Sequence, residues 1–155
     1  MYPSHLLYYY SGKDAVLEHY FQNVSERILL RIDEYRSERP EEQIRLIAEL
    51  FFSGSGISKS EIGFMLECFG VAVGDKVLRS EKSDLDRQCK TYLTDLFKQT
   101  PRGLIADPKD SAEVAYAVLI GLRSAVYFDD KLGLREAHRL FLTSMLAIAG
   151  LSGTD

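Results

Sequence analysis

Apolar residues recur at helical spacing along most of the chain. In the segment 14–35 they form a stripe about two residues wide that includes Val16, Tyr20, Val24 and Ile28, as expected for an amphipathic helix. Comparable stripes occupy the segments 40–52, 59–70, 75–99, 111–128 and 134–149. The pattern therefore predicts an all-α domain of about six helices.

Residues that stop and start helices divide these stripes from one another. Ser11 and Gly12 are expected to end a short first helix and to open the helix that follows it. The segment 58–61 reads Ser-Lys-Ser-Glu, which is a capping box for the third stripe. Asp110 or Ser111 is expected to cap the Ala-rich helix at the fifth stripe.

The last two predicted helices carry more apolar surface than one antiparallel pair can cover. The helix at 111–128 is apolar nearly all round, so we expect it to be buried on nearly all sides. Small residues, among them Ala115, Gly121 and Ala147, would let helices approach closely. Two copies of this hairpin would form a four-helix bundle between two chains. The sequence therefore predicts a homodimer with these residues at its interface: Val118, Leu122, Ala125, Leu140, Phe141 and Met145.

The composition is that of a soluble chain without a signal for export. The net charge is −4, and the first 22 residues contain one basic side chain, Lys13, and two acidic ones, Asp14 and Glu18. No basic surface for nucleic acid is therefore apparent. Two cysteines make no disulfide framework. The longest nearly apolar stretch, 112–122, contains Glu113 and is shorter than the ~20 residues that span a bilayer. We therefore expect a cytoplasmic protein without a membrane segment.

The segment 5–17 reads His-Leu-Leu-Tyr-Tyr-Tyr-Ser-Gly-Lys-Asp-Ala-Val-Leu, and it resembles the end of the DNA-binding headpiece of the TetR (tetracycline-repressor) family. In that family a recognition helix carries the pattern Leu-Tyr-x-His-Phe, and a Lys followed by an acid opens the next helix. The corresponding positions here are Leu6, Leu7, Tyr9, Tyr10, Lys13 and Asp14. The helix order and the turn at 102–104 before an Ala-rich penultimate helix are also similar to the family.

The resemblance implies a division of the chain into three parts. Residues 1–13 would be the remnant of a helix-turn-helix DNA-binding domain, 14–150 an effector-binding and dimerisation domain, and 151–155 a tail. Family members have two further helices before this motif, so most of the headpiece is expected to be missing. The DNA contacts of the family would fall on Ser4, His5, Tyr8, Tyr9 and Lys13. The alternative is that this segment is an amphipathic stub that covers the top of the helical bundle.

In the family, the central helices enclose a pocket for a small, largely apolar effector. The resemblance assigns ligand binding to these residues: Phe51, Phe52, Phe64, Met65, Phe69, Tyr92 and Phe97. Tyr92 would orient the ligand, because a buried phenol needs a hydrogen-bond partner. The alternative is that these side chains fill the core.

Other kinds of site find little support in the sequence. Cys68 and Cys89 either form a redox sensor or are small buried hydrophobic residues. His5, His19 and His138 form no metal-binding pair. No motif for a cofactor or for catalysis is apparent.

The sequence therefore favours a non-enzymatic, TetR-like transcriptional regulator, a repressor, whose effector changes the DNA affinity of the headpiece. An alternative is an all-helical dimer that binds small molecules without binding DNA. A weaker alternative is a helical enzyme with a cryptic site.

Overall fold

Six α-helices make up the protein in the computed structural model, which describes the backbone of residues 3–53 and 59–151 and the side chains of 15–53 and 59–151. The helices are α1 (Pro3–Tyr35), α2 (Pro40–Phe52), α3 (Lys59–Ala72), α4 (Lys76–Lys98), α5 (Pro108–Phe128) and α6 (Leu134–Ala149). The described backbone contains no β-strand. The prediction of an all-α chain with about six helices is confirmed.

Helix α1 runs without a break through Ser11 and Gly12. The prediction that these two residues end one helix and open another is therefore wrong. A glycine inside a helix costs only about 1 kcal/mol relative to alanine, and helix propagation from the residues on either side is favourable enough to cross it. The backbone of 3–13 is thus continuous with the helix that enters the body of the protein.

Helix α5 begins earlier than the sequence analysis expected. The Asp107 Oδ1 atom accepts a hydrogen bond from the Lys109 N–H (2.9 Å), and Pro108 occupies the first turn. Proline suits this position because it has no amide hydrogen to leave without a partner. The expectation that Asp110 or Ser111 caps this helix is therefore wrong, and Asp107 is its cap.

Helix α5 lies at the centre of the packing. It contacts α4 and α6 most extensively, and also contacts α3 and α2. Helix α1 packs on α4 and α3, and α2 packs on α6. The largest fully buried side chains come from all of the helices around α5: Phe21, Ile44, Phe52, Ile62, Leu78, Leu96 and Phe141. A single core therefore unites the helices.

Helix α5 buries only one of its two apolar faces. Ala112, Tyr116 and Leu119 point into the core, whereas Gly121 and Phe128 lie on the opposite face and are exposed, Phe128 to 72%. The expectation that this helix is buried on nearly all sides is not met within one chain, because the helices of the described residues pack on only one of the two faces. This apolar face is therefore open to solvent in one chain.

By length and composition alone, α5 is long and apolar enough to cross a membrane. The expectation that no stretch is long enough is therefore wrong, because the helix continues past 112–122 through Arg123 to Phe128. Core helices of soluble proteins pass the same test, and α5 packs against four other helices of this fold.

The loop between α4 and α5 lies against the C-terminal end of α6. Gly150 has a φ of +71° there, and the Leu151 N–H donates to the Leu146 carbonyl oxygen (2.9 Å), as is common where glycine ends a helix. Gly103 comes so close that a Cβ atom on it would lie 2.5 Å from the Ile148 carbonyl oxygen and 2.5 Å from the Gly150 nitrogen. The two glycines therefore let two stretches of backbone touch.

Candidate functional site

A small cavity lies between α1, α3, α4 and α5, next to the end of α2. Its volume is about 40 Å³, which leaves room for a few water molecules. Most of its wall is apolar and consists of Ile28, Phe51, Ile62, Met65, Leu66, Phe69, Leu85, Leu119 and Ile120. Cys89, Tyr116 and Arg123 add sulfur, hydroxyl and guanidinium groups. Apolar walls with a few polar groups are the usual composition of a small-molecule site.

Arg123 reaches the cavity from α5, and its guanidinium lies beside Phe51. The Nη1 atom donates a hydrogen bond to the Phe51 carbonyl oxygen (2.5 Å), and the guanidinium carbon lies 5.6 Å from the centre of the Phe51 ring. This carbonyl is in the last turn of α2, where carbonyl groups have no partner within the helix. Burial lowers the pKa of Arg123, and the charge of Glu61 acts against that shift. The cavity thus contains a cation that is largely removed from bulk water.

The phenol of Tyr116 is held by α4. Its O–H donates a hydrogen bond to Asp86 Oδ1 (2.5 Å), and Asp86 Oδ2 accepts one from Lys82 Nζ (2.7 Å). Burial raises the pKa of Tyr116, and the hydrogen bond with Asp86 acts in the same direction. The phenol therefore remains neutral, and because its proton is engaged by Asp86 it offers a ligand only its oxygen lone pairs.

Both cysteines are free and buried. Burial raises the pKa of Cys68 to about 11 and that of Cys89 to about 12. At neutral pH both are therefore thiols, whereas a redox-sensing cysteine needs a substantial thiolate fraction. These environments favour the interpretation that the cysteines are small buried hydrophobic residues, of which Cys89 lines the cavity.

An open groove of about 500 Å³ adjoins the cavity on the side of α1 and α2. Ile28, Phe51 and Arg123 line both spaces. The rim of the groove carries an ion pair between Arg27 and Glu61, with 3.5 Å between Nη2 and Oε1. The groove therefore connects solvent to the side chain of Arg123.

Apart from Tyr92, the residues that were assigned to ligand binding fall into three groups. Those that line the cavity are Phe51, Met65 and Phe69. Phe52 and Phe97 are instead buried in the core, where the Phe52 ring lies 5.2 Å from the ring of Phe141. Phe64 is 50% exposed on α3. Successive positions on a helix point in different directions, so only part of a run of aromatic residues can face one cavity.

Tyr92 does not line the cavity, which corrects the expectation that it orients a ligand there. Its O–H donates a hydrogen bond to Gln43 Oε1 (2.7 Å), and Gln43 Nε2 donates to the Glu38 carbonyl oxygen (2.8 Å). The Arg36 guanidinium lies over the Tyr92 ring at 5.2 Å. The phenol thus has the partner that burial requires, and the tyrosine of the cavity is Tyr116.

The residues assigned to a dimer interface fall into two groups. Those that are partly exposed in one chain are Val118, Leu122, Ala125 and Leu140. Phe141 and Met145 are instead core residues, exposed to 1% and 0%. Helix α6 has apolar residues on two faces, and the face with Phe141 packs on α2. These two residues are therefore buried before any second chain is added.

The residues assigned to DNA contacts lie outside the described side chains. They are Ser4, His5, Tyr8, Tyr9 and Lys13, and their backbone belongs to the first turns of α1. In the parts of the chain whose side chains are described, no three His, Cys, Asp or Glu residues come together as a metal site would require.

Arg123, Tyr116 and Cys89 were not assigned to the ligand cavity from the sequence, although all three line it. A signal for Arg123 was present, because it is the only basic residue between Ser111 and Phe128. A charge on an apolar helix is rarely buried without a partner or a function. No comparable signal marks Tyr116, since its position depends on how α5 is rotated against α4.

Residues 40–148 match the sequence family described as BetI-type transcriptional repressor, C-terminal. The fold is similar to the crystal structure of a transcriptional regulator from Rhodococcus sp. Rha1, with a TM-score of 0.72 over 92% of this chain and 89% of that chain. The two sequences are 14% identical, so this similarity is one of fold. No curated protein matches the chain. The family match includes α2 to α5 and nearly all of α6.

Proposed function

The chain belongs to the TetR family of transcriptional regulators, through its BetI-type C-terminal domain, and on that premise we propose that it contains the effector-binding and dimerisation domain of a cytoplasmic repressor. This is a family of regulators and not of enzymes. A small, largely apolar effector binds in the cavity, and two chains associate through α5 and α6. Binding of the effector changes the affinity of the headpiece for DNA.

The cavity is the observation that carries this proposal. Its apolar wall would exclude water from an apolar ligand, and burial of such a ligand is favourable by about 25 cal/mol per Å² of apolar surface. Its volume of about 40 Å³ is small beside the roughly 300–1,000 Å³ of typical ligand pockets. A ligand therefore has to displace the wall, and this displacement is the movement that a regulator needs.

Helix α1 would carry that movement towards the DNA. Ile28 of α1 lines the cavity, and at 1.5 Å per residue it lies about 22 Å along the helix axis from Lys13. A ligand that pushes on Ile28 would shift the helix as a rigid rod. DNA affinity falls only if the effector binds more tightly to the form of the protein that cannot bind DNA than to the form that can.

The exposed face of α5 supports the proposal of a dimer. This face contains Val114, Gly121 and Phe128, which are exposed in one chain, and its small central residue would let a second helix approach closely. Helix α6 packs beside α5, so the two helices of each chain would form a four-helix bundle with those of the other.

Substitution Gly121→Glu is expected to produce a folded monomer. A Cβ atom on Gly121 meets no other atom within 4 Å in one chain, and glutamate favours a helix over glycine by roughly 0.5–1 kcal/mol. In a dimer, the same side chain would place a charge in a dry helix contact. Sedimentation equilibrium should show a dimer for the wild type and a monomer for the variant. The matched control is Gly70→Glu on α3, which also has open space and should remain dimeric. A Gly121→Glu variant that sediments as a dimer contradicts the proposed interface.

DNA binding is tested with two proteins side by side, this chain and a version extended upstream of Met1 in the same reading frame. The DNA is the sequence that flanks the coding region. We expect the extended protein to retard this DNA in a gel and to do so as a dimer. If neither protein binds DNA while both dimerise, the alternative of a DNA-independent small-molecule-binding dimer replaces the repressor.

A further inference from the structure

Arg123 stands where the enclosed cavity meets the open groove, because it lines both. Everything on the inner side of it is apolar except Tyr116 and Cys89. On the outer side the groove carries charged residues of α1, α2 and α3, including the Arg27–Glu61 ion pair. A ligand that extends from the cavity into the groove would therefore place its apolar part inside and its polar end beside the guanidinium.

The guanidinium is only partly compensated by the protein. A guanidinium has five N–H donors, and the hydrogen bond to the Phe51 carbonyl oxygen engages Nη1. Glu61 is the carboxylate that most raises the pKa of Arg123, and it also pairs with Arg27. Burying a cation without a full counter-charge is costly, so a ligand that brings a negative charge to this point gains more than a neutral one.

We propose, resting on the proposed function, that the effector is a small monocarboxylic acid whose hydrocarbon part fills the cavity and whose carboxylate binds Arg123. A planar carboxylate matches the two parallel N–H donors of a guanidinium. The effector is a carboxylate and not a phosphate because Arg123 is the one cation among the residues that line the cavity, and a monoanion balances a single guanidinium. The other two cations of the groove, Arg27 and Arg31, are accompanied there by Glu49 and Glu61. The competing interpretation is that Arg123 only supplies a partner for the carbonyl at the end of α2.

The test compares octanoate with octanamide, which has the same chain length and no charge. Binding to the complete chain is measured by calorimetry at neutral pH, with hexanoate and decanoate to allow for the size of the opened cavity. We expect the best acid to bind at least about tenfold more tightly than its amide, the effect of a hydrogen bond to a charged group. Arg123→Met should remove this preference while leaving weak binding of the amide. The matched control is Arg87→Met, an exposed arginine of α4, which should keep the preference.

A second measurement covers the case in which Arg123→Met does not fold. Cys89 lines the cavity and Cys68 does not, although both are buried. Because the raised pKa of Cys89 makes its reaction with N-ethylmaleimide slow, the reaction is followed over hours. Octanoate should slow it further in the wild-type protein, in comparison with octanamide, and leave Cys68 unaffected. Mass spectrometry of peptides separates the two sites.

The results distinguish a wrong class of ligand from the absence of an effector site. If no acid binds more tightly than its amide, or if Arg123→Met keeps the preference, the assignment of a carboxylate to Arg123 is wrong. The neutral apolar dye N-phenyl-1-naphthylamine then decides the other question. If the protein increases the fluorescence of the dye and octanamide reverses that increase, the apolar effector site stands. If the fluorescence does not increase, that site is overturned as well.

Discussion

Replacing Phe141 with alanine should lower the free energy of unfolding by about 3–5 kcal/mol, the range for removing a large aromatic side chain from a core. Phe141 is 1% exposed and its ring lies 5.2 Å from that of Phe52, so truncation leaves a cavity between α2 and α6. Chemical denaturation followed by circular dichroism measures the loss. The control is Phe64→Ala, whose side chain is half exposed and whose loss should cost less than about 1 kcal/mol.

The same substitution also separates a core residue from an interface residue. In the Gly121→Glu background, which is expected to be monomeric, a contact between two chains is already absent. The cost of Phe141→Ala should therefore persist there if the residue stabilises one chain. A cost that disappears in this background would assign Phe141 to the dimer contact and would contradict the packing described for α6.

Gly103→Ala is expected to destabilise the protein by about 3 kcal/mol, at the upper end for overpacking. The added methyl group would collide with the backbone of α6, including the Ala147 carbonyl oxygen, and backbone atoms cannot rotate away as a side chain can. The φ of Gly103 is not positive, so the cost would come from lack of space and not from backbone strain.

The control for this prediction is Gly74→Ala in the turn between α3 and α4. A Cβ atom there meets nothing within 4 Å, so its stability should stay close to that of the wild type. Hydrogen exchange should further show faster opening at the end of α6 in Gly103→Ala. Equal stability of the two variants would mean that the loop is not held against α6.

The helices could be predicted from the sequence because each one has an apolar stripe of helical period. Their ends were harder to predict wherever two signals competed. Asp110 and Ser111 are good capping residues, yet α5 is capped by Asp107, which is followed by Pro108 in the first turn. Gly12 is a common stop signal, yet α1 passes through it, since a single glycine costs too little to end a long helix.

The candidate site was predictable only in part. The aromatic residues of the central helices predicted a pocket between those helices, and Phe51, Met65 and Phe69 do line the cavity. Which tyrosine faces the cavity depends on the rotation of α4 and α5 about their axes, and the apolar stripe fixes that rotation only to within a residue or so. Tyr92 and Tyr116 are both buried, so periodicity alone does not separate them. In the same way α6 has two apolar faces, and nothing in its sequence says which one packs on α2.

If the proposed effector binds in the enclosed cavity, the cavity also limits how fast the protein can respond to it. A ligand larger than about 40 Å³ enters from the groove only while Ile28, Phe51 and Arg123, which line both spaces, are apart, so its association rate would be limited by how often they separate. If the open form were populated about 1% of the time, the apparent affinity would be about a hundredfold weaker than the intrinsic one. Substitutions that loosen the packing around Ile28 and Phe51 would therefore make the regulator more sensitive and less stable at once.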